Sequence, residues 1–207
     1  MVDSCVLRRR GEVLREAVFE AALTEISERG VRGASMDRIA KRAGTGKAAL
    51  YRRWPNVRAL ALDVFITTLA ESLPPTAPDS GSLREDMITS LTTFTGQLDG
   101  GLGIVLRELI SEAAHDPTLA TEFQTRFGQA KQVEVIGMFQ RAMARGEIPA
   151  QPVDPYVLEL PAALTIHQLL LAGTVPSHAQ VEHIVDAIML PLLGIVRWEG
   201  AGQAVSP

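Results

Sequence analysis

The chain has 207 residues, of which 46% are hydrophobic and only 5% aromatic, and its net charge is −4. No apolar stretch reaches the ~18 to 20 residues of a membrane span, and a single cysteine, Cys5, excludes an intramolecular disulfide. The net charge conceals an asymmetry: residues 1–60 hold 13 Lys+Arg against 7 Asp+Glu and the remainder 7 against 17, so the N-terminal end is the one with charge to meet phosphate.

Arg8, Arg9 and Arg10 have no apolar run behind them to form a signal-peptide core, so the expected location is cytoplasmic. The first predicted helix runs from Glu12 to Arg29. Leu14, Val18, Ala21, Ala22 and Ile26 recur along it at helical spacing, with Glu25 as a polar break in the stripe, and Gly30 is the expected C-terminal cap. Ser35 can cap a short helix over Met36–Ala43, where Asp37 suits the positive helix end. Gly44 ends that helix, and only Thr45 and Gly46 separate it from a third over Lys47–Arg53. Trp54-Pro55-Asn56 then stops the third helix and caps a fourth over Val57–Leu73. Two helices of about two turns joined by a tight glycine turn have the dimensions of a helix-turn-helix.

Pro74, Pro75, Pro78, Asp79, Ser80 and Gly81 form the clearest linker. Beyond it the periodicity predicts helices over Ser82–Gln97, Leu102–Ala114, Thr118–Arg145, Pro155–Ala172 and Ala179–Trp198, with no competing strand pattern. The predicted fold is all-α, with a three-helix DNA-binding domain over 1–56 and a larger helical domain over 57–207.

Ile39, Ala40, Ala43 and Leu50 can face one another across the Gly44 turn. That leaves Lys47, Ala48 and Tyr51 on the outer face of the third helix, with Arg52 and Arg53 at its end. Cations suit phosphates and guanine edges, a phenol suits phosphate, and a small methyl-bearing residue suits close approach to thymine or backbone. The run Ser35-Met36-Asp37-Arg38-Ile39-Ala40-Lys41-Arg42-Ala43-Gly44-Thr45-Gly46-Lys47-Ala48-Ala49-Leu50-Tyr51-Arg52-Arg53-Trp54 resembles the signature of the tetracycline-repressor (TetR) family, and the likeness extends through Arg58-Ala59-Leu60. The resemblance implies that Lys47, Ala48, Tyr51 and Arg52 meet DNA in the major groove, with Ser35 and Arg53 on phosphates. Two positions depart from the family pattern. Gly46 stands where a Ser cap is frequent, and Val57 where a phosphate-touching Lys is frequent; Arg58 or the Arg52-Arg53 pair is expected to compensate for the second. Arg8–Arg10 form either a disordered tail or an arm adding phosphate contacts.

In the larger domain, the last two predicted helices carry apolar residues around more of their circumference than one packing face needs. Leu158, Ala162, Ile166 and Leu169 on one, with Val181, Val185, Ile188, Leu192 and Val196 on the other, could pair with their copies in a four-helix twofold interface. The alternative is that both helices are buried within one subunit. Pro161 and Pro191 are expected to kink them. The family resemblance also implies a pocket for a small hydrophobic ligand, with Thr68, Phe94, Leu98, Leu106, Ile110, Phe123, Phe127 and His167 as candidates, although ordinary core packing accounts for each. No cofactor or metal is expected, because His178 and His183 are five apart and Cys5 has no partner. No catalytic motif occurs either.

The combined expectation is a homodimeric repressor that binds a palindromic operator and is released when a ligand shifts the Val57–Leu73 helix. The alternatives are a ligand-responsive activator on the same fold, a helical enzyme whose basic patch holds a phosphorylated substrate, and an interaction module that does not bind DNA.

Overall fold

The computed structural model describes residues 3–74 and 76–195, with side chains from residue 11 onward apart from 129–132. Every regular element among them is helical: α1 Asp3–Gly33, α2 Met36–Arg42, α3 Lys47–Tyr51, α4 Val57–Ser72, α5 Leu83–Leu98, α6 Gly101–Ala113, α7 Pro117–Phe123, α8 Gln129–Arg145, α9 Pro155–Ala172, α10 His178–His183 and α11 Leu190–Leu192. They divide into two compact units. The first joins the stretch ending at Ser72 to Gln97–Phe127, and the second joins Leu73–Gly96 to the stretch beginning at Gly128.

The first unit holds α1 to α4, α6 and α7. Its division differs from the expected boundary at residue 56, for a reason visible on α4. Leu60, Ala61, Leu62, Val64, Phe65 and Leu69 are all buried. A helix apolar on so many sides needs partners on each, and α1, α6 and α7 supply them. Asn56 caps α4 as expected, its Oδ1 accepting the Ala59 amide at 2.9 Å. On α1, Val18, Ala21, Ala22 and Ile26 are buried while Leu14 is exposed. Gly30 breaks the helix at φ 68°, ψ 168°, a region open essentially to glycine alone, and one further turn leads to Gly33.

The expected single helix over Thr118–Arg145 is interrupted. Asp116 caps α7, accepting the Thr118 and Leu119 amides at 3.1 and 3.2 Å, but Gln124–Gly128 is wound as a π-turn. Phe123 and Phe127 both reach Phe65 of α4, with ring centroids at 5.8 and 5.3 Å.

In the second unit α5 (through Gly96) and α8 to α11 bury Leu83, Met138, Phe139, Ala142, Leu169, Val181, Val185 and Met189. Its helix ends are capped where the sequence offers short polar side chains. Asp154 accepts the Tyr156 amide at 2.8 Å ahead of Pro155, and Ser177 with Gln180 forms a capping box. The last predicted helix is broken by a π-turn over Ile184–Met189, just before Pro191, which has no amide to donate to the preceding turn. Val196 and the remainder of that predicted helix lie outside the described residues.

Candidate nucleic-acid interface

The tip of the first unit is built around Ile39, Ala40 and Leu50, each at most 2% exposed, with Met36 beside them. Ser35 Oγ accepts the Asp37 amide at 3.2 Å and begins α2. Gly44, at φ 66°, reverses the chain, and the Thr45 amide donates back to the Ala40 carbonyl at 3.0 Å. This is a glycine-closed helix end of the Schellman kind, and it sets α3 across α2. Gly46 then begins α3 with extended backbone and no side-chain cap, as its missing side chain requires.

With Leu50 turned inward, α3 presents Lys47, Ala48 and Tyr51 to solvent, followed by Arg52 and Arg53. Tyr51 is 51% exposed, high for an aromatic ring. Trp54 closes the segment. Its ring packs on Phe19 of α1, its Nε1 donates to Asp63 of α4 at 2.9 Å, and the Arg53 guanidinium lies 5.1 Å over it. Asp63 also accepts Arg126 of the π-turn at 2.8 Å.

Much of the basic surplus of residues 1–60 is paired with carboxylates of the same chain. Glu25, the polar break in the α1 stripe, is buried among Arg29, Arg38 and Arg42, with Arg38 hydrogen-bonded to it. Arg42 also makes a two-pronged bond to Glu28 at 3.1 and 3.0 Å. Arg58 is likewise engaged, donating to Glu112 of α6 at 2.7 Å. Lys47 is paired with Asp37, yet both side chains are more than half exposed. Among the described residues, Lys41 and Arg52 stand on this surface with no carboxylate within ion-pair distance.

Glu112 also takes a hydrogen bond from Arg32, so one nearly buried carboxylate holds arginines from both sides of the α2–α3 segment. One turn earlier, Glu108 accepts the Val31 amide at 3.0 Å, beside the break at Gly30. Burial pushes the Glu112 carboxyl up, but the Arg32 and Arg58 hydrogen bonds outweigh it and hold the group below its ordinary value of 4.5. A carboxylate depressed in the folded state contributes stability that is complete above the unfolded value and lost as pH falls through the folded one. Thermal melts below pH 4.5 should therefore show a steady fall in Tm, and Glu112→Gln should flatten part of it. An identical acid slope in the variant would contradict the assignment.

The candidate ligand residues fall in both units. Thr68, Leu98, Leu106, Ile110, Phe123 and Phe127 belong to the first unit, and Phe94 and His167 to the second. Phe94, Leu98 and Leu106 are buried, whereas His167 is exposed on α9 and faces no interior. The expected dimer residues also separate. Leu169, Val181 and Val185 are buried within the protomer, the last two at 0% exposure, so they offer a partner nothing. Leu158, Ile166 and Ile188 are half-buried, and Ala162 and Leu192 are exposed. Helical spacing identifies an apolar position without saying which side of the helix the chain itself covers. Tyr156, Leu170, Leu171 and Ile195 are also exposed.

A profile described as "Bacterial regulatory proteins, tetR family" matches residues 18–64, and one described as "Tetracyclin repressor-like, C-terminal domain" matches 77–188. The HTH-type transcriptional regulator YdeS of Bacillus subtilis is 30% identical over 178 residues, 86% of this chain and 89% of its own. The DNA-binding transcriptional repressor TetR of Mycobacteroides abscessus is 26% identical, covering 89% of this chain and 96% of its own. Among solved structures, the TetR family transcription regulator SCO0332 superposes with a TM-score of 0.68 at 26% identity, over 88% of this chain and 98% of its own. The transcriptional regulator FadR of Bacillus subtilis, solved in complex with stearoyl-CoA, has a TM-score of 0.65 at 15% identity, over 87% of this chain and 98% of its own, and speaks to the fold alone.

Proposed function

We propose, from the fact that this chain belongs to the TetR family of helix-turn-helix transcriptional regulators, that it acts in the cytoplasm as a homodimeric repressor released from a palindromic operator by a small hydrophobic ligand. The observation that carries the DNA-reading part is the outward set Lys47, Ala48, Tyr51 and Arg52 on a helix whose inner side is locked by Leu50. Ser35 and Arg53 flank it where phosphates would pass. Two such helices, one per protomer, would enter successive major grooves about one helical turn apart.

The dimer reading is supported by the outer side of the second unit. Tyr156, Leu170 and Leu171 on α9, with Leu192 and Ile195 at the end of α11, are large apolar side chains left in water by a single chain. Ala162 and Ala163, also exposed, would let a partner helix approach closely, and His167 falls on the same exposed side of α9. Leu192→Asp is the clean test, because Leu192 is 55% exposed and its replacement spares the protomer core, whereas Val185→Asp would unfold it. Sedimentation at micromolar concentration should give a dimer for the wild type and a folded monomer for Leu192→Asp. A dimeric variant would remove this face from the interface.

For the ligand, Thr68, Leu106, Ile110 and Phe123 lie on three helices of the first unit that pack on one another, α4, α6 and α7, and Phe127 lies on the π-turn that follows α7. A drug-sized apolar compound seated among them would act on α4, whose first turn follows the reading head. Such a compound should raise Tm and weaken operator binding, and the operator should weaken the compound's binding by the same factor. A panel of hydrophobic compounds without a thermal shift would count against this half of the reading.

A further inference from the structure

We propose that Glu112 is a positioning residue for operator binding: its carboxylate holds Arg32 and Arg58, which bracket the α2–α3 segment in sequence, and so sets the angle at which α3 is presented. The inference rests on the DNA-reading role of α3 and adds a residue that never touches DNA.

Glu112 lies on α6 in line with Val105 and Leu109, both at 0% exposure, where an apolar side chain would pack without the cost of burying a charge. A carboxylate there stabilises poorly but directs well. One oxygen receives Arg32 Nε, at the entry to the reading head, and the other receives Arg58 Nε, at its exit. Glu108, one turn away on the same side of α6, fixes the Val31 amide that the Gly30 break has freed from the α1 ladder. A Cβ at position 30 would lie 2.7 Å from Glu108 Oε2, so backbone and carboxylate are fitted to each other. Entry and exit are thus both tied to one turn of a helix that is remote from α3 in sequence. The orientation of the head follows α6 rather than the core of the head alone.

The two arginines are partly exposed, 65% and 46% at their side chains, so releasing them would add cations to the surface rather than remove any. That separates positioning from simple electrostatics. Glu112→Gln keeps the shape and loses the charge. Its binding is compared with wild type on the duplex that the wild-type protein selects from a random pool and on a scrambled duplex of equal length, over a salt series. The expected result is an affinity for the selected duplex lowered about 10-fold, with affinity for the scrambled duplex unchanged or higher and its salt slope no smaller. Wild-type affinity for the selected duplex, or an equal loss on both duplexes, would overturn the proposal. If Glu112→Gln loses helicity, Arg32→Lys with Arg58→Lys is measured instead, since it keeps both charges but not the planar fork. The same fall in the ratio of the two affinities is expected, and an unchanged ratio overturns the proposal. Wild-type protein that selects no duplex at all would overturn the DNA-reading function itself, and this inference with it.

Discussion

Phe65→Ala is expected to lower the free energy of unfolding by ~3–5 kcal/mol, the usual range for deleting a fully buried phenyl ring. Phe65 is 0% exposed on α4 and is the ring on which Phe123 and Phe127 converge, themselves 5.2 Å apart. Removing it opens a cavity against Phe123 and Phe127. Phe65→Leu, which refills most of the volume, should recover the larger part of the loss. Urea denaturation followed by circular dichroism measures both variants, and a Phe65→Ala protein within 1 kcal/mol of wild type, roughly, would show that the cluster does not hold α4 to α7.

Lys47→Ala and Tyr51→Ala should each weaken binding to the selected duplex by about 5- to 150-fold, equivalent to ~1–3 kcal/mol, with helicity and Tm unchanged. Both side chains point away from the Ile39–Leu50 core, so their loss leaves no cavity. Lys47 must first leave Asp37. An exposed pair of this kind is worth only ~0–1 kcal/mol, less than one well-formed contact to a guanine edge, so DNA wins the exchange. Lys47→Ala should in addition flatten the preference between bases at one operator position, whereas Tyr51→Ala should weaken binding evenly across sequences if its phenol meets phosphate. Fluorescence anisotropy on a set of single-position duplex variants reads both effects. Lys47→Ala with wild-type affinity on every duplex would take it off the reading surface.

Local features were legible in the chain because their causes are local. Ser35 and Asn56 cap helices within three residues of themselves, and Gly30 and Gly44 mark turns that only their own backbone freedom allows. The reading head was legible for the same reason, its core and outer face both lying within twenty residues. Glu25 was visible as an anomaly in an apolar stripe. Its partner Arg38 was not, since the pairing arises only when α2 folds back on α1. Glu112 on α6 was missed, since its partner Arg32 is 80 residues away. A count of charges does not reveal which basic residues the fold pairs with carboxylates. The two outer apolar helices posed the converse difficulty. Val181 and Leu192 are equally apolar in sequence, yet the first is enclosed by its own protomer and the second stands in water.

The most direct test of the account is an equilibrium titration of wild-type protein against the duplex it selects and its scrambled counterpart across a salt series, with stoichiometry read at saturation. Two chains should bind each palindromic selected duplex. The affinity should fall steeply with salt and remain at least about a thousand-fold tighter than on the scrambled sequence at physiological ionic strength. Equal affinity for the two duplexes at every salt concentration would contradict the assignment of α3 as a helix that reads DNA sequence.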